Sequence, residues 1–225
     1  MGFTIGGIRG TSARKSLTDR RPTRRARASE CTAVAEYTGL WGWDVQAGAR
    51  LLRGECSCER SDCESPGDHP LDYAPAVKAG TTLDDVTTAW TQTPGATLLL
   101  PAGEHFDVLD VAAPAGHRAL VRLERMGLPL GPVTATPDGR AHFFVAPGAA
   151  KDLPQLLYRT GWDDAELDLR CLGPGDHVTA PPSEVAGRGP VRWMRPPTLE
   201  TAGRPPHARL LLGTLAYVCH RSAAA

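Results

Sequence analysis

The stretch VTATPDGRAHFFV, residues 133–145, predicts two paired β-strands and is the clearest fold signal in the chain. Asp138 and Gly139 stand between two strand-like halves, and an Asp-Gly pair in this setting is a strong signal for a hairpin turn. His142 lies on the second strand beside Phe143, where it could serve a site or simply alternate outward to solvent. The hairpin therefore places a sheet in the second half of the chain.

Helices and strands surround this hairpin in a mixed order. Before it, the apolar spacing predicts a helix from about Ser29, a strand at 43–45, a helix at 82–90, strands at 97–100 and 106–111, and a helix from Pro114 to Gly127. After it, the sequence predicts a helix at 153–159, strands at 167–173, 175–182 and 189–194, and a helix at 207–221. This order predicts an α+β fold in which one sheet is backed by helices.

Local signals also predict one helix start and two buried helix faces. Thr82 and Asp85 have the spacing of a capping box at the start of the helix at 82–90. Apolar residues at helical spacing predict the inward faces of the helices at 114–127 and 207–221. These residues are Leu120, Leu123 and Met126 on the first helix, and Leu211, Leu215 and Val218 on the second.

The composition is that of an ordinary soluble protein. The chain has 225 residues, of which 41% are hydrophobic and 22% charged, and its formal net charge is zero. No stretch approaches the roughly 18 apolar residues of a membrane span. We therefore predict a cytoplasmic protein without a membrane partner. In a reducing cytosol, clustered cysteines indicate a metal site more than disulfides.

The first 28 residues form a separate segment by composition. They carry eight arginine or lysine residues against the single acidic residue Asp19, and they lack apolar periodicity. We interpret 1–28 as a disordered basic arm that precedes one domain at 29–221. The arm could contact phosphates without sequence preference, or it could simply be a solvated leader.

A cysteine-rich run, CSCERSDCESPGDHP at 56–70, carries the strongest metal-binding pattern. Cys56, Cys58, Cys63 and His69 follow the spacing Cys-x-Cys-x4-Cys-x5-His, and three of the six cysteines lie within eight residues. Three thiolates and one imidazole are a standard tetrahedral set for structural zinc. The alternative is a loop that holds three thiols by chance. We predict a structural zinc knuckle inserted at 54–70.

Acidic residues on predicted strands form a second candidate site. Asp107 and Asp110 stand on one strand, and Asp168 and Arg170 on another, with His142 on the hairpin between them. Carboxylates from neighbouring strands can bind hard divalent ions, and two such ions can support phosphoryl transfer. An aspartate on a half-exposed strand is, however, more often a surface charge.

Several of these segments, in this order, resemble the bifunctional DNA primase/polymerase domain family, a branch of the archaeo-eukaryotic primase superfamily, in its short stand-alone bacterial form. The resembling segments are AEYTGLWGWDV, the cysteine-rich insertion ending in PGDHP, VLDV, GRAHFF and LDLRCLGPGDHVTAPPS, and the resemblance runs from about Cys31 to Arg221. The family implies an RRM-like catalytic sheet and template-directed nucleotide addition with magnesium or manganese. It also implies nucleotides and DNA as partners, and a helicase-like protein.

The resemblance assigns roles to particular residues. Asp110 matches the first metal-binding aspartate, Asp168 the last metal-binding acid, and His142 the histidine that contacts the phosphates of the incoming nucleotide. Arg170 stands beside Asp168, and Ser183 closes the PPS turn, so both are candidate substrate-binding residues. Asp107 is a further candidate metal ligand.

Two departures from the family pattern weaken this site. The acidic strand commonly has a second acid two residues after the first, and that position is Ala112 here. Asp107 is three residues before Asp110 and points to the opposite side of a regular strand, so that only a bulge would bring it round. The lysine of the family's PGKHP segment is Asp68 here.

Three interpretations follow from the sequence. The chain could be an active primase/polymerase with a weakened metal site. It could be a catalytically inactive relative that binds nucleotide or nucleic acid. It could also be a zinc-stabilised interaction protein without a nucleic-acid role.

Overall fold

The computed structural model describes residues 24–58, 60, 62–185 and 187–223. Most of the basic arm predicted at 1–28 lies outside these ranges. Its last five residues belong to the first helix, which begins at Arg24 and not near Ser29. Within the described ranges, the structure contains no helix with the length and apolar character needed to span a membrane.

The elements alternate along the chain as the sequence predicts. In order they are α1 (Arg24–Ala35), a π-helical turn (Glu36–Leu40), β1 (Gln46–Gly48), β2 (Leu51–Leu52), β3 (Glu55–Cys56), α2 (Leu83–Trp90), β4 (Thr97–Pro101), β5 (Asp107–Ala112), α3 (Ala113–Arg125), β6 (Val133–Ala135), β7 (Arg140–Val145), α4 (Ala149–Thr160), β8 (Leu169–Leu172), β9 (His177–Thr179), β10 (Arg192–Arg195), α5 (Leu199–Gly203) and α6 (Arg209–Ala223). The α+β class is therefore confirmed.

A five-stranded antiparallel sheet contains the predicted hairpin. Its strand order is β10-β6-β7-β5-β8, and the chain builds four of these strands in the succession β5-α3-β6-β7-α4-β8. The turn between β6 and β7 is closed by the Thr136 amide, which donates to the Arg140 carbonyl at 2.9 Å. Gly139 in this turn has φ +87°, a conformation that glycine adopts without a steric penalty. The hairpin at 133–145 is confirmed.

The two faces of this sheet belong to different hydrophobic cores. Leu109 and Phe143 pack with α3 and α6 on one face, where Leu211 and Leu215 are fully buried. Their strand neighbours Val108 and Phe144 pack into a second core that includes the three-stranded sheet β1-β4-β9. The second core covers only one end of that other face, which leaves polar residues in the middle of β5 and β7.

Close packing fixes α3 on the sheet. A Cβ atom added to Gly116 would lie 2.5 Å from the Cβ of Ala141 on β7, so the helix can approach this closely only with glycine at that position. Leu120 and Leu123 are buried as predicted, whereas 49% of Met126 is exposed. Met126 is the C-cap of α3, where the chain leaves the packed surface.

Other predicted details need correction. The strand expected at 43–45 is observed at Gln46–Gly48, because Val45 makes only an isolated bridge to Val77. The main strands form two sheets and not one, since β1, β4 and β9 pair with each other. The short helix α5, whose cap residue Thr198 accepts a hydrogen bond from the Thr201 amide, was not predicted.

Candidate functional site

Five residues in register form a row across the five-stranded sheet, on the face opposite α3 and α6. Trp193 pairs with Thr134, Thr134 with His142, His142 with Asp110, and Asp110 with Arg170. Neighbouring strands lie about 4.8 Å apart, so the row is about 19 Å long. Directly paired residues share one face of a sheet. The fold therefore brings the sequence-predicted Asp110, His142 and Arg170 side by side.

Asp110 is the buried centre of this row. None of its surface is exposed, yet its carboxylate has two arginine partners on neighbouring strands. Arg140 Nε donates to Oδ1 at 2.8 Å, and Arg170 Nε donates to Oδ2 at 2.6 Å. A buried carboxylate requires such partners, because an unpaired charge away from water costs several kcal/mol.

Arg140 also joins Asp110 to the second predicted acid. Its Nη1 donates to Asp168 Oδ2 at 2.8 Å, so one guanidinium bridges a carboxylate on β5 and one in the loop just before β8. These ion pairs raise the pKa of Arg140 further above its ordinary value, with the hydrogen bond to Asp168 as the largest cause. A cavity of about 390 Å³ opens beside this bridge and is lined by Arg140, Leu167, Asp168, Leu169 and Arg170.

The donor atoms of this cluster do not fit a pair of divalent metal ions. Two carboxylates and two guanidinium groups give a formal charge of zero, and both oxygens of Asp110 are engaged by arginines. Ala112, which shares the face of Asp110, offers no ligand. A hard divalent ion requires several free oxygen ligands, and carboxylates are the strongest of them. In this arrangement the cluster provides free carboxylate oxygen only from Asp168, 58% of whose side chain is exposed.

Two buried polar atoms in the row have no partner within the described part of the chain. They are Thr134 Oγ1 and His142 Nδ1, in residues that are 1% and 8% exposed. His142 Nε2 lies 3.6 Å from Asp110 Oδ1, beyond a good hydrogen bond. Burial lowers the pKa of His142, so the imidazole is neutral at pH 7. Buried polar groups are nearly always satisfied, and these two atoms therefore indicate a place for a polar ligand or water.

Asp107 does not belong to this cluster. The pairing of β5 with β7 is regular from Asp107 to Ala112, without the bulge that would turn Asp107 toward Asp110. Asp107 lies instead on the helix-covered face, fully buried, and its Oδ2 accepts a hydrogen bond from the Ala150 amide at 2.8 Å. Ala150 is in the first turn of α4, where a carboxylate stabilises the free amide groups of a helix start. Asp107 therefore lies on the other face of the sheet from Asp110, away from the other candidate metal ligands.

Ser183 is also outside the cluster. Its hydroxyl accepts a hydrogen bond from the Leu98 amide at 2.7 Å, and its carbonyl accepts one from the Val191 amide at 2.9 Å. Leu98 lies on β4 of the three-stranded sheet. These contacts hold the segment after β9 against β4, and no hydrogen bond joins Ser183 to the row on the other sheet.

The sequence interpretation missed Arg140, which joins Asp110 to Asp168 in this cluster. A signal for it existed, because Arg140 precedes His142 by two residues on one strand and must share its face. Thr134 and Trp193 were also missed, and their place in the row depends on the pairing of β6 with its neighbours. Strand parity could have identified Arg140, whereas only the register identifies the other two.

The four residues of the predicted knuckle converge in the structure. Ligand atoms of Cys56, Cys58, Cys63 and His69 all lie within 4.8 Å of one another. His69 Nε2 is 3.3 Å from Cys56 Sγ and 3.4 Å from Cys63 Sγ. These distances are close to the edge of about 3.5 Å that a zinc tetrahedron with one imidazole and thiolates would have.

The surroundings of the knuckle favour metal binding. His69 Nδ1 donates to the Pro70 carbonyl at 2.7 Å, which leaves Nε2 directed at the sulfur atoms, as in many metal sites. Burial alone would raise the pKa of Cys56, but hydrogen bonds from the backbone amides of Cys58 and Gly67 lower it to about 6. A thiolate at this position is the form that binds metal.

The knuckle is attached to the three-stranded sheet. The Ala49 amide donates to the His69 carbonyl, and the Leu71 amide donates to the Ala47 carbonyl, so the chain leaves and returns beside β1. Gly67 has φ +77°, and a Cβ there would lie 2.9 Å from the Leu51 nitrogen. Glycine is therefore required where the knuckle folds back over β2.

Asp44, Glu104 and His105 form a second group whose side chains could bind a metal ion. In this group the carboxylate of Asp44 is already bonded to other residues of the chain. Lys78 Nζ donates to Asp44 Oδ2 at 2.5 Å, and the Ala79 amide donates to Oδ1 at 2.9 Å. These bonds satisfy the buried Asp44 carboxylate and make this group a structural ion pair.

Comparison with known proteins agrees with the geometry. Residues 34–208 match the family described as bifunctional DNA primase/polymerase, N-terminal. The chain belongs to this family. No curated protein and no solved structure gives a significant match. The primase/polymerase match covers β5, β7 and β8, which carry Asp110, His142 and Arg170, together with the cysteine cluster.

Proposed function

We propose that this primase/polymerase-family chain binds the triphosphate of a nucleotide at the polar row on its five-stranded sheet, on the face opposite α3 and α6, with little or no template-directed nucleotidyl transfer. The observation that carries this proposal is the state of Asp110. Arg140 and Arg170 bind its two carboxylate oxygens. Ala112 stands where the family commonly has a second acid, and Asp107 lies on the helix-covered face of the sheet. Nucleotidyl transfer by two metal ions needs free carboxylates to bind those ions, and this site does not offer enough of them.

The same residues are well suited to a phosphate group. Arg170 uses only Nε on Asp110, and 68% of its side chain is exposed, so its terminal nitrogens are free to donate to phosphate oxygens. Thr134 and neutral His142 can supply further hydrogen bonds through their unpartnered buried atoms. The cavity of about 390 Å³ is lined by Arg170 but not by Thr134 or His142, and its volume falls within the size range of small-molecule sites.

The wider architecture fits this function. The succession β5-α3-β6-β7-α4-β8 supports an RRM-like sheet as the nucleotide-binding unit of a domain at 29–221. Single-stranded DNA is the macromolecular partner that family membership favours, and Trp193 at the end of the row offers an aromatic surface for a base. The helicase-like partner stays a prediction.

We further propose that Cys56, Cys58, Cys63 and His69 bind one structural zinc ion. Three thiolates and one imidazole complete a tetrahedral shell, which leaves no open position for catalysis. Metal analysis of the purified protein should give about one equivalent of zinc, and Cys58→Ser should lose it. Cys31→Ser, outside the cluster, is the control and should keep its zinc. A wild-type protein that folds without bound metal would contradict this assignment.

Nucleotide binding can be tested by fluorescence polarisation with a labelled nucleoside triphosphate. Arg170→Ala should weaken binding by about tenfold, because it removes one charge-assisted contact worth about 1.5 kcal/mol or more. Arg192→Ala, which removes an exposed arginine on β10 outside the cluster, is the control and should bind as the wild type does. Equal binding by all three proteins would show that the phosphates do not occupy this site.

A further inference from the structure

We propose that Arg140 is the resident cation of this site and keeps a divalent metal ion from binding between Asp110 and Asp168. The proposal rests on the proposed function for the identity of the ligand, and it specifies that ligand as a triphosphate that binds without a bridging metal ion.

The geometry of Arg140 is that of a cation shared between two acids. Its guanidinium spans the carboxylate of Asp110 on β5 and that of Asp168 just before β8, with N···O distances of 2.8 Å to each. A metal ion bridging Asp110 and Asp168 would have to displace both bonds at once. The arginine side chain is 22% exposed, so it is held in place by its surroundings and is not a freely moving surface group.

The missing family acid explains why Arg140 can take this position. Ala112 is the direct strand partner of Arg140, and it lies on the same face as Asp110. A carboxylate at position 112 would stand opposite Arg140 and compete with Asp110 and Asp168 for its charge. With only a methyl group there, the arginine reaches diagonally to both remaining acids. The loss of one acid and the position of the arginine are therefore two parts of one arrangement.

This arrangement changes the class of ligand that the site accepts. With Asp110 paired to two arginines, the cluster is formally neutral and no longer presents the net negative charge that would hold a cation. Arg170, Thr134 and His142 then supply donors to phosphate oxygens directly, where a family site with free carboxylates would use metal ions. Nucleotide binding should accordingly persist in a buffer free of magnesium and manganese.

The test measures manganese binding directly, by electron paramagnetic resonance of free Mn²⁺ in titrations of zinc-loaded protein without nucleotide. Arg140→Gln should bind Mn²⁺ at least about tenfold more tightly than the wild type, because it frees two carboxylates from a paired cation. Asp110→Asn in the Arg140→Gln background should remove the gain, which assigns it to this cluster. Arg192→Gln is the matched control and should behave as the wild type.

Other outcomes are equally decisive. Arg140→Lys keeps the charge but replaces the forked guanidinium by one ammonium group, so it should fold and give an affinity between the other two proteins. Wild-type protein that binds Mn²⁺ as tightly as Arg140→Gln, with a loss in Asp168→Asn, would overturn the proposal. If neither Arg140→Gln nor Arg140→Lys binds Mn²⁺, the proposal is overturned as well, because Arg140 would then not be what prevents metal binding. The manganese titrations test only the role of Arg140. Nucleotide binding is measured independently by fluorescence polarisation, so a failure of the proposed function can be distinguished from a failure of this inference.

Discussion

Replacement of Asp110 by asparagine distinguishes a structural counterion from a metal ligand. A free metal-binding carboxylate in a buried site is destabilising without its ion, so that its neutralisation would leave the unfolding free energy unchanged or raise it. Here Asp110 is fully buried and pairs with Arg140 and Arg170. We therefore expect Asp110→Asn to lower the unfolding free energy.

The expected loss follows from the exposure of the two arginines. Removing one partner of a buried ion pair costs about 3–5 kcal/mol. Arg170, 68% exposed, can turn into water, whereas Arg140, 22% exposed, remains partly buried and loses one of its two carboxylates. The lower end of the range therefore applies, at about 3 kcal/mol, which raises the unfolding constant by about 150-fold.

The assay is equilibrium unfolding in urea followed by tryptophan fluorescence, with Trp43 buried in the core as a native reporter. The zinc-loaded state should be kept throughout. Asp168→Asn is the control, since 58% of that side chain is exposed and its ion pair should contribute no more than about 1 kcal/mol. An Asp110→Asn protein as stable as the wild type would refute the counterion role.

Three further predictions concern neighbouring residues. Asp107→Asn should lower the unfolding free energy by about 1–2 kcal/mol, because it weakens the cap on α4, yet should leave nucleotide affinity unchanged in polarisation titrations. Ala112→Asp should raise Mn²⁺ affinity further when combined with Arg140→Gln, because it adds a carboxylate on the face of Asp110, and manganese titrations of the double variant check this. The pKa of His142 is lowered from 6.5 mainly by burial, so the unfolded chain binds this proton first and the unfolding free energy falls as pH drops below about 6.5. His142→Gln should flatten that fall in urea titrations between pH 7 and pH 5.5, and an unchanged slope would contradict a buried neutral imidazole.

Much of the fold and part of the site could be predicted from local signals. The Asp138-Gly139 turn and the alternation around it defined β6 and β7, and the turn also set the register between them. Parity along single strands separated Asp107 from Asp110 and placed Arg170 on the face of Asp168. The knuckle ligands were predictable because they lie within fourteen residues of one another.

The rest depended on contacts between distant segments. Asp107 caps α4 through Ala150, 43 residues away, and no local pattern specifies that contact. The opposition of Ala112 and Arg140 follows from the pairing of β5 with β7, which links segments across a whole helix and hairpin. Ser183 resembled a family substrate residue, but tertiary packing uses its hydroxyl to hold the backbone of β4.

Primer extension under nucleotide-saturated conditions measures whether the bound nucleotide is added to a primer. Wild-type protein should be compared with the Asp110→Ala and Asp168→Ala double mutant on a primed single-stranded template, in magnesium and in manganese, with nucleotide binding of the wild type verified in the same samples. We predict that the wild type binds nucleotide yet yields no more product than the double mutant. Robust magnesium-dependent synthesis by the wild type that the double mutant abolishes would contradict the account and establish an active polymerase.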